Sequence, residues 1–456
     1  MRIESLMIHE TRPVSSEDTA RAADALKCAV CQRTVQLCEG QRGSGLLAIV
    51  LTGSLARDEA TFVREGERWR LLGDAEFLLV FDQNAVLPPS SIIDRLERDI
   101  ENHLLQQGLS GHVELNPVHT RYLRTMPPEI FAYELGTSGQ VVWGERQILS
   151  LIPAFSPSDI PLEDGWRMLC NRVVEFIEVI DLVAEKPVES SPTGRYRMIK
   201  LYLDMATSFL LFQGAYAATY LERADRLSTL AEDSEANRNC PFPLRDFAKR
   251  VAPCTQFKLQ AGDGVGAQAA EEGLEGMFSW AELVTYVRSL WRWELERLLS
   301  ERWVAPPFRA CPERSEGAAC RSKARRDELS KVSDHELMRR WMRLQPVRKR
   351  LRGWASALRR CGWHRSWRHW PRWVKLGWRA SPRYWVYAAA SEFFFRFRVN
   401  LRGDGPAPEV DSQVRTIRSW LPVAGDLPGM GRNLGWRDVA ADIAWNYQAF
   451  LKGTRA

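Results

Sequence analysis

The chain has 456 residues, which is enough for two or three domains that each bury a core of their own. Hydrophobic residues make up 45% of the chain and charged residues 26%, a balance that is ordinary for a globular protein and excludes an intrinsically disordered one. The net charge of +6 is unevenly distributed: residues 1–150 carry 15 Lys and Arg against 21 Asp and Glu, a net charge of −6, which leaves +12 for the rest of the chain.

Residues 1–16 contain no basic stretch followed by an apolar run, and no window of eighteen residues is apolar throughout. The best candidate, Trp385–Phe397, is short and contains Glu392 and Arg396. We therefore predict no secretory signal, no transmembrane span and a cytoplasmic location. The nine Cys are an odd number without the spacing of a disulfide framework, which agrees with reduced thiols.

The first 150 residues alternate between helical and strand patterns. Helical spacing predicts helices over residues 16–40 and Ser91–Gln107. Short apolar runs predict strands over Leu46–Leu51, Glu76–Phe81, His112–Val118 and Gln140–Gly144. This order predicts a domain over residues 1–150 in which helices pack on a mixed sheet, and an α+β fold class for the chain.

Cys28, Cys31 and Cys38 fall in the first predicted helix and include a CxxC spacing. A zinc site needs a fourth ligand, which only folding could bring from His112 or His119. We interpret these Cys as structural thiols.

From Gly165 onward, long amphipathic helices replace the alternating pattern. We predict an all-helical bundle domain over residues 163–303. Residues 304–332 are rich in Pro, Ser, Gly and Arg without periodicity, so we interpret them as a linker of low sequence complexity. Residues 333–456 form a basic, Trp-rich C-terminal domain in this prediction.

Within that last domain, residues 338–402 contain eighteen Lys and Arg, one acid and eight of the eighteen Trp of the chain. Arg and Lys neutralise phosphates, and Trp stacks on bases or lies at a lipid interface. This region is therefore expected to bind an anionic partner, either nucleic acid or a membrane surface. The alternative is that these Trp form the core of a small domain whose Arg face water.

Two features of the first domain suit phosphate and metal chemistry. Gly53 and Ser54 follow a predicted buried strand and precede a helix, where glycine lets the backbone approach phosphate oxygens and the hydroxyl offers a donor. Asp74 and Glu76 open the next strand, and side chains two residues apart on a strand point to the same face. Two carboxylates placed together repel each other unless a cation neutralises them.

A third acid, Glu114, lies between the apolar Val113 and Leu115 in a later predicted strand, so it faces away from them. Each of these features alone has an ordinary explanation, as a tight turn, a solvated strand end or a surface residue. Their ordered combination is the informative observation.

That combination resembles the polymerase-beta-like nucleotidyltransferase superfamily, whose members include kanamycin nucleotidyltransferase and nucleotidyltransferase toxins. The resemblance covers about residues 45–144 and is carried mainly by LTGSLARDEATFVREGERWRLLGDAEFLLVF, residues 51–81. Within it, Arg57 and Glu59 match an Arg-x-Glu that some bacterial members carry beside the Gly-Ser turn. The resemblance therefore adds Arg57 to the nucleotide-binding residues.

By this resemblance, Gly53 and Ser54 hold the β and γ phosphates of an NTP, and Asp74 and Glu76 bind two Mg²⁺ ions. Glu114 completes the site as a metal ligand and as the base toward the acceptor hydroxyl. The chain departs from the commonest family pattern in two ways. The second acid of the pair is Glu76 in place of Asp, and the twenty-residue interval from Ser54 to Asp74 is longer than in minimal members.

The sequence thus predicts a metal-dependent nucleotidyltransferase that moves an NMP from an NTP to a hydroxyl of an acceptor. The acceptor is a small molecule, a protein or an RNA. The alternative is a catalytically inactive nucleotide- or nucleic-acid-binding protein that uses the basic C-terminal region.

Overall fold

The structure is a computed structural model that describes residues 16–65, 68–178, 192–259, 279–304, 326–361, 370–396, 409–423 and 435–452. These residues belong to two compact units. Unit 1 takes the described residues of Met1–Pro127, Phe131–Phe155 and Thr255–Glu275. Unit 2 takes those of Pro128–Ile130, Ser156–Cys254 and Gly276–Ala456.

Unit 1 contains a five-stranded sheet with helices packed on it. In chain order the elements are α1 (Ser16–Cys38), a 3-10 helix (Glu39–Ser44), β1 (Leu46–Thr52), α2 (Gly53–Ala56), β2 (Phe62–Glu65), β3 (Arg68–Phe81), α3 (Ser90–Gln106), β4 (Leu109–His119), α4 (Thr120–Arg124), α5 (Ile130–Ser138) and β5 (Gln140–Gly144). Together with the helices of unit 2, this confirms the α+β class.

The long strand β3 is the centre of the sheet. Its second half pairs antiparallel with β1, which sets Thr52 opposite Glu76, and its first half pairs antiparallel with β2, which sets Phe62 opposite Leu71. On its other side β3 pairs in parallel with β4, which sets Glu76 opposite Glu114. β5 pairs antiparallel with β1. Because one pair of strands is parallel and the others are antiparallel, the sheet is mixed, as predicted.

The strands are more extensive than the sequence prediction. β1 ends one residue later, at Thr52, and β4 runs over Leu109–His119 instead of His112–Val118. Two differences are larger. β3 begins at Arg68, eight residues before the predicted start at Glu76, and β2 (Phe62–Glu65) was not predicted. Arg68 and Arg70 are exposed and interrupt the apolar pattern, so this half of β3 lacks the local signal of a buried strand. Pairing with β2 and β4 holds it in the sheet.

Side chains of β3 alternate between two apolar layers. Phe77 and Leu79 belong to the layer formed with α1 and α3, while Leu78 and Val80 belong to the layer formed with α4 and α5. All four are at most 4% exposed. Since each such burial contributes roughly 1.5–3 kcal/mol, this half of β3 fixes the strand register.

The free edge of β4 is closed by carboxylates of α3. The backbone N–H of Val113 donates to Glu101 Oε1 over 3.0 Å, and the backbone N–H of Leu115 donates to Glu97 Oε1 over 2.8 Å. Unpaired edge groups invite pairing with another chain, and charged side chains over the edge prevent it. These two hydrogen bonds occupy backbone N–H groups that the edge of β4 would otherwise offer to another strand.

Unit 2 is helical. Its helices are α6 (Leu162–Ile177), α7 (Pro192–Phe212), α8 (Tyr220–Glu232), α9 (Ser234–Arg238), α10 (Leu244–Leu259, whose last turn belongs to unit 1), α11 (Trp280–Val304), α12 (Asp334–Arg343), α13 (Val347–Cys361), α14 (Trp370–Gly377), α15 (Pro382–Arg396), α16 (Glu409–Trp420) and α17 (Trp436–Tyr447). Among the described helices, none combines the length and the apolar character needed to cross a bilayer.

Helices from both predicted C-terminal domains, residues 163–303 and 333–456, lie in this one unit. The boundary between them stays a prediction. Of the predicted linker 304–332, residues 305–325 lie outside the described residues.

The core of unit 2 is aromatic. Trp166 is fully buried, and its ring centroid lies 5.8–6.4 Å from those of Trp291, Trp341, Tyr384 and Tyr387. These five residues come from α6, α11, α12 and α15. Tilted and edge-to-face aromatic pairs at such distances add about 0.5–1.5 kcal/mol each to the burial of their area.

Several Trp of the basic region are core residues. Trp341, Trp354, Trp373 and Trp385 are at most 8% exposed, whereas Trp378 is 85% exposed. Most of the described Trp of this region therefore belong to a buried core, which is the alternative to an exposed surface for an anionic partner. Trp363 and Trp367 lie outside the described residues.

A carboxyl group is buried among the helices of this unit. Glu294 of α11 is fully buried; its Oε1 accepts a hydrogen bond from Ser208 Oγ over 2.6 Å, while its Oε2 has no hydrogen-bond partner among the described residues. Burial raises the pKa of Glu294 from its ordinary value of 4.5 to about 8, and Ser208 and Arg297 offset only part of that effect. Glu294 is therefore largely protonated at neutral pH.

Because the pKa of Glu294 is higher in the folded state, its contribution to stability is complete below about pH 4.5 and is lost as the pH rises through 8. We expect Glu294→Gln to match the wild type at pH 5 and to exceed its free energy of unfolding at pH 9 by on the order of 3 kcal/mol. Urea unfolding at both pH values measures this. The exposed Glu232→Gln is the control, and an equal pH dependence in the wild type and Glu294→Gln would contradict the prediction.

Candidate functional site

Three carboxylates meet where β3 and β4 lie side by side. Ligand oxygens of Asp74, Glu76 and Glu114 all lie within 4.8 Å of one another. Asp74 is exposed, and Glu76 and Glu114 are half-buried. In the part of the chain that the structure describes, this is the one group of three or more such side chains close enough to share a metal ion.

The strand geometry explains why these residues converge. Asp74 and Glu76 are two residues apart on β3 and share the face opposite Ala75 and Phe77, which are buried in the layer of α1 and α3. Glu114 likewise faces away from its apolar neighbours on β4, and the parallel register sets it beside Glu76. The structure therefore brings together the three acids that the sequence singled out.

The Gly-Ser turn lies against one of these acids, Glu76. Gly53 has a φ of +69°, and a Cβ at this position would lie 3.3 Å from Glu76 Oε2. Thr52, one residue earlier, donates its hydroxyl to Glu76 Oε2 over 3.4 Å. Glycine thus serves two purposes here, a left-handed backbone and a close approach to a carboxylate.

The twenty-residue interval between Ser54 and Asp74 does not separate the turn from the acids. It contains β2 and the first half of β3, which form a hairpin, and β3 then returns alongside β1. The register of Thr52 opposite Glu76 brings the acids back to the Gly-Ser turn.

The two other predicted nucleotide-binding side chains differ in their surroundings. Ser54 is half-buried, and its hydroxyl makes no hydrogen bond to another described residue. The side chain of Arg57 is only 5% exposed; its Nε lies 2.8 Å from Glu59 Oε2 and its Nη1 lies 2.7 Å from Glu134 Oε2. The guanidinium thus ties the segment after α2 to α5, and its contact with a nucleotide stays a prediction.

The chemistry of the acidic cluster fits a hard divalent cation. Carboxylate oxygens are the ligands that Mg²⁺ and Mn²⁺ prefer. Unit charges about 5 Å apart repel by roughly 3 kcal/mol per pair at an effective dielectric constant of about 20, and a cation would replace that repulsion by attraction. Asp74, Glu76 and Glu114 are therefore the residues that would hold such an ion.

The three N-terminal Cys all lie on α1. Burial raises the pKa of Cys31 to about 11 and that of Cys38 to about 12, so these two thiols are poor nucleophiles at neutral pH. Cys28 is exposed, and none of the three belongs to a group of described side chains that could share a metal ion. This agrees with the interpretation of Cys31 and Cys38 as structural thiols, and for Cys28 that interpretation stays a prediction.

No family model matches this chain, and no match was found among curated proteins or solved structures. The resemblance to the polymerase-beta-like nucleotidyltransferases therefore depends on the residues and geometry described above.

Two residues of the site were not predicted from the sequence. Thr52 contacts Glu76, and Glu134 holds Arg57. The period of two along β1 places Thr52 on the face of Val50, which could have indicated the first contact. Glu134 lies 77 residues from Arg57, and no local pattern relates them.

The contact between Gly53 and Glu76 can be tested with a matched pair of glycines. Gly53 and Gly214 have φ values of +69° and +70°, but only Gly53 has a neighbour within 4 Å of an added Cβ. We expect both Ala substitutions to cost roughly 1–2 kcal/mol of stability through backbone strain. Only Gly53→Ala should also weaken Mn²⁺ binding, by about threefold or more, because it displaces a ligand. Calorimetric titration with Mn²⁺ measures this, and equal affinities in the two variants would contradict it.

Proposed function

We propose that this protein is a metal-dependent nucleotidyltransferase that moves an NMP from an NTP to a hydroxyl group of an acceptor. The observation that carries the proposal is the meeting of Asp74, Glu76 and Glu114 within 4.8 Å, against a glycine turn with a left-handed backbone. Nucleotidyl transfer needs carboxylates that hold divalent cations, a cradle for the triphosphate and an oriented hydroxyl.

The Gly-Ser turn supplies the cradle in this proposal. Without a side chain at Gly53, the backbone can approach the β and γ phosphates closely. The hydroxyl of Ser54, which has no hydrogen-bond partner among the described residues, is available to donate to a phosphate oxygen. Arg57 is the third nucleotide-binding residue of the proposal, and its ion pairs with Glu59 and Glu134 hold the segment that follows the turn.

The acids supply the charge balance. When bound, Mg²⁺ would neutralise the triphosphate and stabilise the charge that develops around the α phosphorus. Asp74 and Glu76 point from one strand toward the same region, so both can bind ions there without a change in the backbone. Asp74 is exposed and Glu76 is half-buried, so a substrate can reach both carboxylates.

Glu114 acts as the base in this proposal. In the proposed reaction the acceptor oxygen forms a bond to the α phosphorus, the bond from that phosphorus to the bridging oxygen breaks, and pyrophosphate leaves. The proton of the acceptor hydroxyl passes to a carboxylate oxygen of Glu114. Its half-buried position on the strand beside Asp74 and Glu76 supports this assignment.

Substitution of Asp74 tests the activity. We expect Asp74→Asn to reduce NMP transfer by at least about 100-fold, because it removes a charged ligand while preserving the side-chain shape. Labelled NTP incubated with the protein and a cell lysate, in the presence of Mg²⁺, measures transfer and shows whether the label reaches protein, RNA or a small molecule. The exposed Asp99→Asn on α3 is the control.

Unchanged transfer in Asp74→Asn would exclude the proposed site. If the wild type transfers no label but binds NTP in a Mg²⁺-dependent manner that Asp74→Asn abolishes, the site is a nucleotide-binding site without activity. Salt-sensitive RNA binding that needs no NTP would instead favour a nucleic-acid-binding protein.

A further inference from the structure

Unit 2 contains a cavity of about 650 Å³, lined by residues of α11, α12, α14, α15 and α16. Its size is typical of sites for small molecules. None of the residues of the proposed nucleotidyltransferase site lines it. The cavity is therefore a separate feature.

The lining is strongly cationic. Five basic side chains take part: Arg339, Arg343, Arg372, Lys375 and Arg379. Two acids also line the cavity, Asp334 and Glu392, but arginines outside the lining neutralise both. Asp334 pairs with Arg288 over 2.6 Å and with Arg292 over 2.7 Å, and Glu392 pairs with Arg396. Arg339 in turn pairs with Glu336 over 3.4 Å, outside the lining. The other four basic side chains leave the cavity with an excess of positive charge, which favours an anion.

Two buried donors in the lining lack partners. Ser391 is 3% exposed, and its hydroxyl has no hydrogen-bond partner among the described residues; the same holds for Nε of Arg372. Burial lowers the pKa of Arg372, attraction to Asp442 offsets part of this effect, and repulsion from Arg418 adds to it. A bound anion would satisfy the donors and stabilise the charge of Arg372.

The other walls are aromatic. Trp385, Phe395 and Trp420 line the cavity, and the ring of His335 stacks on Trp420 with centroids 4.7 Å apart and an angle of 23° between the planes. Burial lowers the pKa of His335, which favours the uncharged ring. Flat aromatic surfaces of this kind stack on the rings of nucleobases.

We propose that this cavity binds a nucleoside monophosphate or diphosphate, with the phosphate at the basic side chains and the base against the aromatic walls. A single nucleotide suits the volume, whereas a base-paired duplex does not. The inference does not depend on the nucleotidyltransferase proposal, because it uses other residues of another unit.

Calorimetry with ADP tests the proposal, with adenosine and inorganic phosphate as separate probes of the ring and of the charge. The titrations use the full chain carrying Asp74→Asn, in EDTA, so that the acidic site of unit 1 does not contribute. We expect one ADP per chain and at least about tenfold weaker binding of either partial probe. ADP that does not bind, or that binds no better than phosphate, would overturn the proposal.

Two substitutions separate the parts of the site. Arg379 is exposed. Arg379→Ala should weaken the binding of ADP and of phosphate by about fivefold and leave the binding of adenosine unchanged, because it removes a contact with the phosphate. Trp420→Leu should weaken the binding of ADP and of adenosine by about fivefold and leave the binding of phosphate unchanged, because it removes an aromatic surface for the base. The control is Arg352→Ala, an exposed arginine of α13 outside the lining.

If Arg352→Ala weakened ADP binding as much as Arg379→Ala, the attraction would be nonspecific and due to the basic surface, and the proposed site would be wrong. If a decanucleotide RNA binds through Arg379 and Trp420 while ADP does not bind, the ligand of the cavity is a nucleic acid and the mononucleotide proposal is wrong. Thermal unfolding of each variant shows whether it is folded. An unfolded variant would lose the binding of both adenosine and phosphate, whereas each substitution is expected to weaken the binding of only one of them.

Discussion

The pairing of β3 with β1 on one side and with β4 on the other is the constraint on which the candidate site depends. It sets Thr52, Glu76 and Glu114 in a row across three strands, and the period of two along β3 adds Asp74 on the same face. A shift of one residue in either register would turn an acid toward the apolar layer. The site therefore exists only while the sheet keeps its register.

That register is stabilised away from the site. Beyond Glu76, β3 continues as a fully buried segment with apolar layers on both faces, and carboxylates of α3 close the edge of β4. The acids lie where the strand passes from this buried segment to its solvated half. Strong burial on one side thus fixes charged side chains that would repel one another if they were alone.

Unit 2 follows a different principle, in which large aromatic side chains fill the core and polar groups are buried among them. Trp166 and its aromatic neighbours connect four helices, and Glu294 remains in this environment as a largely protonated carboxyl group. The cavity beside this core shares Trp291 with it and combines further aromatic side chains with the positive charge of residues 338–402. The acidic cluster and the basic cavity therefore lie in the parts of the chain whose net charges have opposite signs.

The sequence by itself determined the α+β class, the short apolar strands and the identity of the three acids, because burial and the periods of helix and strand are local properties. It did not reveal β2, the first half of β3 or the contact of Thr52 with Glu76, since these depend on pairing between distant segments. Sequence alone also left open whether the Trp of residues 338–402 face solvent or the core. Most of the described Trp of this region are buried, and only packing between helices decides this. In a helix that mixes Arg and Trp, no local property shows which face will contact a neighbouring helix.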